Sequence, residues 1–163
     1  MATKADFNAE EWSKVMEGPL LAGLRVVAAD RGGTIRESIA IGKVYAHARQ
    51  AHGDSGLLDE LVATPPAVDT QRLQGVGDIA TATRETLSEA ARLVGEKGSP
   101  EDLDAYRRFV LSVAQAAAEA HKEGGFVGIG GKPVSEQEQA ALDEIAAVLE
   151  GEQGAGGPGP ESV

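Results

Sequence analysis

The chain has 163 residues, with 26 acids against 15 bases, and its net charge of −11 opposes binding to nucleic acid or to anionic membranes. Its length fits one domain, or one domain with a tail, and the lack of cysteine excludes disulfides, thiolate metal sites and cysteine nucleophiles. Hydrophobic residues make up 42% of the chain but aromatics only 4%, so Ala, Leu, Val and Ile must fill the core, a composition suited to closely packed helices. The first ten residues lack the apolar stretch of a signal peptide, and no apolar run approaches the length of a membrane span. The expectation is a soluble, cytoplasmic protein without membrane insertion.

Taken in order, the chain reads as a series of capped helices. Asn8 is the first N-cap candidate, followed by Glu10 and Glu11 where the helix dipole favours acids. Trp12, Val15 and Met16 form an apolar stripe, with Trp12 and Met16 covering one end of the bundle. Gly18-Pro19 is expected to interrupt this helix, and Pro19 to start another that runs to about Ala29. Thr34 and Glu37 spell a capping box for a helix to about Ala51. Asp54 or Ser55 caps a short helix carrying Leu57, Leu58, Leu61 and Val62, which Thr64-Pro65-Pro66 ends.

Helical spacing resumes from about Asp78 to Glu96. Gly98-Ser99-Pro100 breaks that helix and starts a long one, reaching about Lys122, with Ser99 as N-cap and Pro100 in the first turn. Ser135 opens the last helix, with Glu138 three residues on, and it ends near Leu149. No stretch alternates long enough to make a strand. The expected architecture is all-α: a helical bundle over residues 1–150, followed by a disordered Gly/Pro-rich tail, 151–163.

Two segments share a pattern of helix, polar residue, glycine turn, capped helix and inward glutamate. In the first, Asp30 lies on the face of Ala22, Gly23 and Val26, and Glu37 falls within about 40° of the stripe Ile41, Val44 and Ala48. In the second, His121 follows the face of Val110, Ala114 and Ala117, and Glu138 precedes Leu142, Ile145 and Leu149 in the same phase. An acid at a helix C-terminus opposes the dipole, an objection that a cation between Asp30 and Glu37 removes. Such oxygen ligands suit Ca or Mg, and participation of His121 widens the choice to Mn, Zn or Fe. The plainer reading is that both glutamates are helix caps and that Asp30 forms a turn.

The pattern A-A-D-x-G…I-x-x-E, followed later by V-S-E-x-E…L-x-x-I-x-x-x-L, resembles the tellurite-resistance TerB-like family. The resemblance covers residues 19–51 and 109–149. It implies an all-helical fold with two such units, and a metal-binding role for Asp30, Glu37 and Glu138. The second unit departs from the family in carrying His121 where an aspartate is expected, and in a glycine loop of ten residues.

That loop, 124–133, contains five glycines and ends in Gly131-Lys132-Pro133, so it is not a Walker A loop. Its Phe126, Val127 and Ile129 suit docking on the bundle or on a partner. His47 and His52 are read as surface residues, and Glu101, Asp102, Asp104, Arg107 and Arg108 as a solvated helix face. Three functions follow. The first is a non-enzymatic TerB-like module acting through a protein partner, with a divalent cation on Asp30, Glu37, His121 and Glu138. The second is a metal-free interaction or assembly module using the 124–133 loop. The third is a small metal-dependent enzyme built on Glu37, His121 and Glu138.

Overall fold

A computed structural model of the chain describes residues 2–29, 35–51, 55–64, 78–123 and 134–154, with side chains given for 2–29, 39–51, 55–64, 78–120 and 134–151. Among the described residues there are six α-helices and no strand. A turn of 3-10 helix at Lys4–Asp6 precedes α1 (Ala9–Ala29), α2 (Ile35–Ala51), α3 (Gly56–Ala63), α4 (Ile79–Lys97), α5 (Pro100–Glu123) and α6 (Glu136–Gly154). The expected all-α bundle is the fold. The tail residues 155–163 and the loop 124–133 lie outside the described residues.

The helix starts obey the local rules. Asn8 Oδ1 accepts from the Glu11 amide at 2.9 Å, while the Glu11 carboxylate accepts from the Asn8 amide at 2.8 Å. Ser55 Oγ caps α3 through the Leu58 amide at 3.4 Å, and Asp78 Oδ1 caps α4 through the Ala80 amide at 3.0 Å. Caps of this kind stabilise a helix by about 1 kcal/mol each.

Two boundaries differ from expectation. Gly18-Pro19 does not break the first helix: α1 runs unbroken from Ala9 to Ala29 with Pro19 inside it. Pro19 cannot donate to the Val15 carbonyl one turn back, a defect that ordinarily costs about 3 kcal/mol. The phenol of Tyr106 on α5 donates to that carbonyl instead, at 3.0 Å. Gly18 makes the arrangement possible, since a Cβ there would lie 2.2 Å from the Tyr106 hydroxyl. At the other end α6 continues past Leu149 to Gly154. Glu150 and Gln153 are good helix formers, and a Cβ at Gly151 would meet nothing within 4 Å among the described residues, so the helix bears only the intrinsic glycine penalty there.

The first helix is the axis of the bundle. It packs along α4 and α5 and also touches α2 and α6, while α2 rests mainly on α5 and α6 mainly on α4. Val15, Ala22 and Val26 of α1 are fully buried, as are Val110, Val113 and Ala114 of α5. Gly23 marks the closest approach of three helices: a Cβ there would meet Ile41 of α2 at 2.7 Å and Val113 of α5 at 3.2 Å. The few aromatics are placed at junctions. Tyr45 of α2 meets Phe109 of α5 edge-on at 5.0 Å, and Phe7 tilts against Trp12 at 5.8 Å, both rings buried.

Candidate functional site

Of the four residues that the sequence nominates as ligands, Glu138 is the one whose side chain is described. It is 2% exposed at the start of α6, in the inward position expected of it, and its stripe continues through the buried Ile145 and Leu149. One carboxylate oxygen accepts from the Ser135 amide at 3.0 Å, and the Glu138 amide donates to Ser135 Oγ at 3.2 Å. This is the reciprocal capping box that the S-x-x-E spacing spells. Asp30 lies outside the described residues. Glu37 and His121 fall within α2 and α5, but their side chains, like the Thr34 cap, lie outside what is described. Among the described residues no group of three or more His, Asp or Glu side chains converges on a point fit for a metal ion.

The polar centre that the structure does display was not nominated. Asp102, read from the sequence as part of a solvated face, is 1% exposed. Its Oδ2 accepts from the Ala2 amide at 2.8 Å, the Ser99 amide at 3.0 Å and Ser99 Oγ at 3.2 Å, and its Oδ1 accepts from Ser55 Oγ at 2.7 Å. The N-terminal segment, the cap of α3 and the α4–α5 turn therefore meet on one carboxylate. Burial pushes this carboxyl up, but the Ala2 and Ser99 amides and the Ser55 and Ser99 hydroxyls outweigh that and hold it below the usual carboxylate value. The signal in the sequence was Ser99-Pro100-Glu101-Asp102, a capping box with aspartate as its closing acid. The partners at positions 2 and 55 left no local trace.

Arg107 also departs from the solvated reading, while Glu101, Asp104 and Arg108 are exposed as expected. Its side chain is 11% exposed, with Nη1 at 3.7 Å from Asp104 and with Nε and Nη2 buried and lacking hydrogen-bond partners among the described residues. The N-terminal segment gains a further anchor from Lys97, which donates to the Asp6 carbonyl at 3.0 Å and to Glu11 at 2.8 Å.

A cleft lies where α1, α4 and α6 meet. Glu144 of α6 bridges Arg25 of α1 at 3.0 Å and Arg84 of α4 at 3.1 Å, above Thr83, Leu87 and Ile145. The open volume beneath is about 10 Å³, room for about one water molecule. This triad ties three helices together. His47 is exposed, as expected. No helix among the described residues is long and apolar enough to cross a membrane. No protein-family model, curated protein or solved structure matches the chain.

Proposed function

We propose that the chain is a non-enzymatic helical module, of the TerB type that its two helix–turn–helix units resemble, and that it acts by holding a protein partner. The supporting observation is the close packing of the described helices around α1. Four helices touch α1, and the cleft beside it takes about one water, whereas small-molecule sites occupy roughly 300–1,000 Å³. What the described bundle offers another molecule is the outside of its helices.

The proposal includes a divalent cation, Ca or Mg first, on Asp30 and Glu37, with Mn, Zn or Fe if His121 takes part. The buried carboxylate of Glu138 supports it to this extent: the second unit does bring an acid inward at its helix start. The metal-free alternative is an interaction or assembly module, with the 124–133 loop as its contact.

The test is thermal unfolding of EDTA-treated protein against a panel of divalent cations and small metabolites. A ligand at about 100 times its Kd adds roughly 2.7 kcal/mol, which raises the midpoint by several degrees in a chain of this size. The reading expects stabilisation by a cation, absent in Glu37→Gln, and none by metabolites. A shift specific to one metabolite sinks the non-enzymatic reading. No shift with any cation removes the cation and leaves the metal-free module.

A further inference from the structure

Ile39, on the outer surface of α2, is 54% exposed and is the one large hydrophobic side chain left in solvent among the described residues. The charge of α2 is also unusual in this chain. Arg36, Lys43 and Arg49 stand against Glu37, a net of +2 within a total of −11. Its exposed described residues include Lys43, Ala46, His47, Arg49 and Gln50, and none of them is acidic.

The converse holds for α6, whose acids are Glu136, Glu138, Asp143, Glu144, Glu150 and Glu152 and which has no base. Glu138 is used as a cap and Glu144 bridges two arginines. The rest of its outward stripe alternates acid and alanine: Glu136, Ala140, Asp143, Ala147 and Glu150, all exposed. Each alanine leaves a shallow hollow between acids.

The two stripes also match in spacing. Along α2 the steps from Ile39 to Lys43 to Ala46 to Gln50 are four, three and four residues. Along α6, read backwards, the steps from Ala147 to Asp143 to Ala140 to Glu136 are also four, three and four. Antiparallel helices in that register set Ile39 on Ala147, Lys43 on Asp143, Ala46 on Ala140 and Gln50 on Glu136. At 1.5 Å rise per residue the matched stretch is about 16 Å long.

We propose that α2 of one copy docks antiparallel on the outward stripe of α6 of a second copy. Ile39 supplies the apolar anchor and the Lys43–Asp143 pair fixes the register. Among the described residues Asp143 accepts from Gln139 of its own helix, at 2.9 Å, and it remains exposed. Because the two faces differ, one such contact leaves a free face of each kind on the pair, and assembly either closes as a reciprocal two-fold dimer or proceeds head-to-tail into a ring or an open chain. This inference rests on the partner reading above and supplies the partner.

Sedimentation of the full chain at rising protein concentration tests it, at low salt and at about 1 M salt, where the screening length falls to about 3 Å. The average mass is expected to rise above 16.8 kDa with concentration and to fall back at high salt. Ile39→Ser, Lys43→Glu and Asp143→Lys should each weaken self-association by about tenfold or more. Mixing Lys43→Glu with Asp143→Lys should restore it, because each then offers the face that the other needs. A 16.8 kDa monomer at every concentration, or association indifferent to these substitutions, overturns the inference. Neither result touches the partner reading, which a metabolite-specific thermal shift would sink instead.

Discussion

The hydroxyl of Tyr106 donates to the carbonyl of Val15 at 3.0 Å, across 91 residues of sequence, at the position where Pro19 leaves the helix ladder open. Burial and the neighbouring Tyr45 push this phenol far above its ordinary value, so it is a neutral donor at neutral pH. The side chain thus completes the hydrogen bonding of a helix to which it does not belong. Tyr106→Phe should cost about 1–3 kcal/mol, by leaving a buried carbonyl unpaired. In a Pro19→Ala background, the new amide at position 19 can bond Val15, and the same substitution should cost less. A double-mutant cycle by urea unfolding reads this coupling, and strict additivity would show that the bond does not compensate for the proline.

Gly18 and Gly42 should respond in opposite ways to alanine. Both lie inside helices, where Gly→Ala ordinarily stabilises by about 0.5–1 kcal/mol. At Gly42 a Cβ meets nothing within 4 Å among the described residues, and a rise in the unfolding midpoint of a few degrees is expected. At Gly18 it meets the Tyr106 hydroxyl at 2.2 Å and Leu87 at 3.3 Å, and the tyrosine is held by its own bond and by burial. Gly18→Ala should therefore destabilise by about 1–3 kcal/mol, and by less when Tyr106→Phe removes the clashing atom.

Asp102 should govern part of the acid limb of the stability curve. Its folded-state value lies below the unfolded one, so its contribution is fully present above the unfolded value of about 4 and is lost as pH falls through the folded value. Glu11 behaves likewise, lowered by its bonds from Lys97 and the Asn8 amide. Thermal midpoints should be flat from about pH 7 to 5 and fall below about pH 4. Asp102→Asn keeps one acceptor but turns a donor toward the Ala2 and Ser99 amides or Ser55. It should cost about 2–4 kcal/mol near neutral pH and make the acid-side fall shallower. An unchanged acid limb in this variant would assign that fall to other carboxylates.

Glu138→Ala and Glu138→Gln separate shape from charge at the start of α6. Loss of the reciprocal cap in Glu138→Ala should cost about 0.5–2 kcal/mol. Glu138→Gln keeps an oxygen for the Ser135 amide and should stay within a few tenths of a kcal/mol of the parent. Chemical denaturation in EDTA measures both, free of any cation effect.

What the sequence reveals here is what is settled within one turn of helix. Asn8, Ser55, Ser99 and Ser135 announce their helices because a cap and its amide lie three residues apart. Pro19 and Asp102 were misread for the opposite reason. The proline is a break unless a distant phenol replaces its missing donor, and the aspartate is a surface acid unless residues 2 and 55 arrive to cover it. Of the nominated ligand set, Glu138 is the one whose side chain is described, and its inward position was legible because a capping box fixes the phase of the helix behind it.

The bond from Ala2 to Asp102 joins residues 100 positions apart, which sets an order of events during synthesis. Whatever the N-terminal segment does as it leaves the ribosome, its resting place does not exist until the start of α5 has followed it out. At about 5–20 residues per second that interval is roughly 5–20 s. Throughout it, Ala2, Phe7 and Trp12 are apolar groups without their final cover, and they offer a handhold to a chaperone that binds nascent chains.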